Sequence, residues 1–236
     1  MTAVFVNMAA VFVGSLLGIF FRNRLRESIQ RALITALGLC TAVIGVSSAI
    51  GTEDILCIII CMAVGTALGE LARIDDAIEN AGEFFKKKLV KNDGGQSRFT
   101  EGFVSACIMF CVGSMTIVGS LEAGIHRDYS IIFAKSTLDF VSSMALAAAM
   151  GYGVTCSVAF ILVMQGGITL LAGAAAPVLS EAVVREMSAI GGTILIGMAV
   201  NMLELRKERI KIANMLPAVF LPIVYFPLSA LIKSVF

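Results

Sequence analysis

Two ionisable residues, Lys135 and Asp139, stand one helical turn apart inside the apolar run IIFAKSTLDFVSSMALAAAM at 131–150. A charge at the centre of a bilayer costs at least ~2.5–3.5 kcal/mol, so such a pair is rarely idle and marks a candidate site for a solute or an ion. Depth separates the two. At ~1.5 Å of rise per residue, Lys135 lies ~6 Å into a helix starting at 131, whereas Asp139 lies ~12 Å in, toward the middle of a ~30 Å hydrocarbon core. The lysine stem can snorkel to the interface, and the aspartate cannot. Lys before Asp is also the weaker orientation for an i, i+4 pair, so mutual attraction is a poor reason to keep both. Ser136, Ser142 and Ser143 fall one turn before or after Asp139 and extend a polar stripe that could coordinate a cation or relay a proton. The competing reading is an intrahelical ion pair buried against another helix.

Other polar residues interrupt other apolar runs. Asn7, Gln165 and Asn201 are candidates to complete the site, and each alone also reads as interhelical hydrogen-bond glue worth below ~2 kcal/mol. Glu70, Glu122 and Asn214 form a second rank, because Glu70 and Glu122, like Glu204, stand at helix ends where a solvated carboxylate is the default. His126 is the single histidine, which leaves no zinc-hydrolase constellation. Nucleophile elbows, P-loops and dinucleotide fingerprints have no match in the chain, so no catalytic residue, cofactor or nucleic-acid partner is expected. Cys57 with Cys61 and Cys107 with Cys111 repeat an i, i+4 spacing that would allow a soft metal beside Met109 and Met115. Small packing residues compatible with lipid are the plainer reading, and no metal is assigned.

The elements that carry these residues follow from composition. With 58% hydrophobic and only 15% charged residues, the chain falls far below the soluble norm of about 25% charged. Its mean hydropathy of +0.93 and its recurrent runs near the ~20 residues needed per span predict an all-α polytopic transmembrane bundle, a single integral membrane domain over 1–236. About eight segments are expected, at 3–21, 32–50, 55–71, 103–121, 131–150, 154–172, 187–205 and 215–232. Pro217, Pro222 and Pro227 should break the last, and if it re-enters the count is seven. Gly14 with Gly18 and Gly65 with Gly69 have the GxxxG spacing of close helix contacts, within one chain or in a homo-oligomer. Gly151-Tyr152-Gly153 predicts a tight hairpin. The connector at 72–98 reads as a cytoplasmic interfacial helix and loop, with Ile78, Ala81, Phe85 and Leu89 near one face and Lys86, Lys87 and Lys88 reaching for headgroups. Glu181, Arg185 and Glu186 are assigned to a connector.

The first apolar run has no basic residue before it and Arg22, Arg24 and Arg26 after it, the reverse of a cleavable signal peptide. A retained first helix with the N-terminus outside is therefore expected. On that orientation fourteen Lys and Arg fall inside, and only Arg127, Arg185 and Lys233 outside. LRESIQRALITALGLCTAVIG from Leu25 also resembles LSEAVVREMSAIGGTILIG from Leu179, and the orientation makes this faint match an inverted repeat. Val64-Gly65-Thr66 and Val112-Gly113-Ser114 echo one another in the same way, each leading to a carboxylate.

The runs MTAVFVNMAAVFVGSLLG, ALGLCTAVIGVSSAI, GTALGELARID, FCVGSMTIVGSLEAGI, AKSTLDFVSSMALAAAMGYGV, QGGITLLAG and IANMLPAV resemble the bacterial membrane-protein family catalogued as domain of unknown function 554, the YdfK and YqgA type. The resemblance covers nearly the whole chain, with GSMTIVGSLEAGI and AKSTLD its most specific parts. It implies a helical membrane fold and a bacterial inner-membrane address, and it carries over no catalytic residues. The expected function is transporter-like: a small solute or ion moving past a midplane site that includes Asp139, with the lipid bilayer as surroundings. A non-transporting scaffold or regulatory protein, or a channel, is the alternative.

Overall fold

In lipid every backbone polar group must be satisfied within its own segment, which forces apolar runs of this length into helices. The computed structural model describes residues 1–22, 24, 27–78, 80, 99–111 and 114–235, and among them there is no strand. Helices α1 (Thr2–Arg22), α2 (Glu27–Ala49) and α3 (Ile55–Ala72) are followed by α4 (Phe99–Cys111), α5 (Ser114–Ile125) and α6 (Ser130–Met150). Then come α7 (Tyr152–Leu170), α8 (Glu181–Met202), a 3-10 helix at Ile212–Phe220 and α9 (Pro222–Val235). Beyond Ile78 and Asn80, the interfacial helix and loop expected at 72–98 lie outside the described residues.

Among the described residues five helices, α1, α3, α6, α7 and α8, are long and apolar enough to cross a membrane, or up to seven spans if each of two bent pairs counts as one. This count is slightly lower than the eight expected, the difference falling at the second segment, where the described residues give a shorter apolar helix. Helix α2 is 23 residues long and holds the apolar run that begins at Ala32, of which Ile34–Ala49 is the continuously described part. The bent pairs are α4 with α5, at 54°, and the 3-10 helix with α9, at 46°. The second bend falls where the prolines predict it. Pro217 sits inside the 3-10 helix and Pro222 opens α9, each lacking the N–H that a continuous helix requires.

Small residues set the packing. A Cβ on Gly14 would lie 2.4 Å from the Phe140 carbonyl oxygen, and one on Gly18 2.2 Å from that of Met144, so α1 rests directly on the α6 backbone. Gly65 and Gly69 do the same for the 3-10 helix, where added carbons would meet Ala218 Cα at 2.3 Å and the Asn214 carbonyl oxygen at 1.9 Å. Both GxxxG pairs are thus occupied within the chain. Helices α2 and α8 run antiparallel, with Gly45 against Gly192 and Gly38 against Leu203. Between α6 and α7, Gly151 turns the chain at φ 82°, a conformation that disfavours a side chain. Phe5, Phe12 and Phe20 of α1, Val43 of α2 and Ile59 of α3 remain exposed, a face suited to acyl chains.

Candidate functional site

Where α1 packs on α6, Asn7 and Ser15 of α1 and Lys135, Ser136, Asp139 and Ser143 of α6 are buried. Lys135 donates to Asp139 Oδ2 across one turn of α6, and both side chains are buried. Lys135 does not snorkel, contrary to expectation. The Phe110 ring of α4 lies 5.8 Å from its ammonium and offers a cation–π contact in place of headgroup water. Asn7, wholly buried on α1, donates through Nδ2 to Asp139 Oδ2 at 3.1 Å and to Gln165 Oε1 at 3.1 Å. Four residues from three helices distant in the chain therefore meet in one network.

Gln165 belongs to a π-helical stretch, Leu162–Gly166, inside α7. Such single-turn widenings are rare and concentrate at functional positions, because they shift the side chains beyond them by one register step. The network is also oriented. A carboxylate accepts and cannot donate, so Asn7 must present its NH2 to Asp139, and the second N–H of that group fixes the Gln165 oxygen. Asn7 Oδ1 and Gln165 Nε2 are left buried without a hydrogen-bond partner among the described residues, as are the hydroxyls of Ser120 and Thr169. Each such group ordinarily costs about 1–3 kcal/mol.

The serine stripe is turned to its own backbone. Ser136 Oγ donates to the Ile132 carbonyl at 2.7 Å and Ser143 Oγ to that of Phe140 at 2.9 Å, the latter against Gly14, while Ser142 is only half-buried. Asn201 is elsewhere: its amide exchanges two 2.9 Å hydrogen bonds with the backbone of Ile210 and clamps the loop after α8. Asn214 donates to Glu70 Oε2 at 2.6 Å and accepts from the Asp75 amide at 2.8 Å, tying the 3-10 helix to the end of α3. Glu122 pairs with His126 at 2.7 Å in an exposed position. The Cys57 and Cys61 sulfurs are 3.8 Å apart, and all six cysteines are free thiols.

Glu186 is the residue that sequence reasoning missed. It is fully buried on α8, accepting Thr52 Oγ1 at 2.6 Å and the Glu53 amide at 2.9 Å, while Arg185 pairs with Glu53 at 2.6 Å. The available signal was Ser180, whose hydroxyl accepts from the Val183 amide and starts α8 at Glu181, which places Glu186 inside a helix. Beside this latch a cavity of about 660 Å³ lies between α2, α4, α5 and α8, lined by Ser48, Met109, Glu122 and Arg185 among others.

Fold and site together define an all-helical, multi-pass membrane protein with a buried polar network between α1, α6 and α7. The chain belongs to the family described as Protein of unknown function (DUF554), which matches residues 2–227. It is 26% identical over 231 residues to the "Uncharacterized membrane protein YdfK" of Bacillus subtilis (strain 168), covering 95% of each chain. It is also 26% identical over 230 residues to the "Uncharacterized protein YqgA" of Escherichia coli (strain K12), covering 96% of this chain and 95% of that one. No solved structure matches.

Proposed function

We propose that this protein is transporter-like, resides in the bacterial inner membrane with its N-terminus outside, and moves a small solute past the Lys135–Asp139–Asn7–Gln165 network. The observation that carries the reading is a buried ion pair held by two amides, each with an unsatisfied polar atom, beside a π-helical turn. Intramembrane ionisable residues are expensive and mark solute or ion pathways. Two further features support it. Two apolar helix pairs bend sharply, by 54° and 46°, as broken spans or re-entrant segments do in transporters whose sites lie at discontinuous helices. The helices of the faint repeat, α2 and α8, pack antiparallel, as an inverted repeat requires.

Reconstitution in proteoliposomes tests the proposal. Uptake from a defined mixture of labelled amino acids, amides, polyols and inorganic ions should exceed that of protein-free vesicles and fall to that level in Asp139→Asn. Undiminished uptake in a folded Asp139→Asn variant would remove Asp139 from the pathway. A scaffold role is the second reading, favoured by the way Asn201, Asn214 and Glu186 hold helices and loops together. On that reading Asp139→Asn lowers stability and no solute is taken up.

A further inference from the structure

Resting on the transport reading, we infer that the solute is small and uncharged, with a hydrogen-bond donor and acceptor close together, as in a carboxamide, urea or a polyol. It would sit in the seam of α1, α5 and α7 beside the ion pair. Asn7 supplies a lone acceptor and Gln165 a lone donor group, and their orientation is set by the Asp139 carboxylate.

Helix register brings the two orphaned hydroxyls to the same place. Gly124 of α5 packs on the Thr169 carbonyl, where an added Cβ would lie 2.5 Å away. Ser120 is one turn before Gly124 and Gln165 one turn before Thr169. The short connections 126–129 and 151 place the ends of α5 and α7 on one side, so the two helices run parallel and Ser120 comes level with Gln165. Four buried atoms with unused hydrogen-bonding capacity, two from amides and two from hydroxyls, thus gather along one seam.

Charge excludes other ligands. Lys135 and Asp139 already neutralise one another, and the four orphaned atoms of this seam, from Asn7, Gln165, Ser120 and Thr169, are neutral. An ion, or a zwitterion such as an amino acid, would have to break that pair or leave its own charge unpaired in a buried site. An uncharged solute needs neither.

The test uses full-length protein in proteoliposomes, with labelled acetamide, urea and glycerol against glycine, sodium and phosphate. Uptake of at least one uncharged probe should exceed that of protein-free vesicles at least tenfold, and Gln165→Leu or Asn7→Leu should abolish it. Ser120→Ala and Thr169→Val break no hydrogen bond between described residues, so they should fold at least as well as the wild type while raising KM about tenfold. Uptake confined to glycine or an ion, and dependent on Asp139, would overturn the solute class while leaving transport standing. Raised osmotic water permeability without solute uptake would assign the orphaned atoms to water and overturn the inference. No uptake of any probe would overturn both readings.

Discussion

Replacing Lys135 with Met leaves the Asp139 carboxylate buried with only Asn7 to stabilise it, and Asp139→Asn strands the ammonium in the same way. Removing one partner of a buried ion pair costs about 3–5 kcal/mol, whereas replacing both with uncharged groups of similar volume is near neutral. At about 2–4 °C per kcal/mol for a chain of this size, each single variant should lose roughly 6–20 °C in Tm. The double variant Lys135→Met/Asp139→Asn should return to within about 5 °C of the wild type. A thiol-reactive dye in detergent reads the transition directly, because Cys57, Cys61, Cys107 and Cys111 are buried and become reactive on unfolding. A double variant that loses as much as the two singles combined would show that the charges do not act as a pair.

Three further outcomes are expected. Glu186→Ala removes two charge-assisted hydrogen bonds to the α2–α3 turn and should cost about 3 kcal/mol, with Glu186→Gln retaining part of it in the same dye assay. Gly69→Ala drives a methyl into the Asn214 carbonyl and should destabilise by about 1–3 kcal/mol or more, while Gly173→Ala, with nothing within 4 Å, should be neutral. Asn201→Ala should lower stability by about 1–3 kcal/mol through its lost clamp on Ile210 and leave the KM of any transported solute unchanged.

Much of the architecture was legible because lipid permits so few solutions. Span positions followed from apolar length, the break near Pro222 from missing N–H groups, and the hairpin from Gly151. Asp139, Lys135, Asn7 and Gln165 each stood out singly as polar residues in apolar runs. Their union did not, since Asn7 lies 132 residues from Asp139 and 158 from Gln165, and no local pattern records such a contact. Local chemistry also gave no sign of the π-helical turn that aims Gln165, for it depends on packing around 162–166. Phe110, which covers Lys135, was hidden for the same reason.

Uptake by the Lys135→Met/Asp139→Asn double variant, normalised to folded protein, separates a working site from a structural pair. Near-native Tm with uptake reduced to the level of protein-free vesicles is the expected result. Near-native Tm with undiminished uptake would contradict the central claim and leave the pair as a packing device.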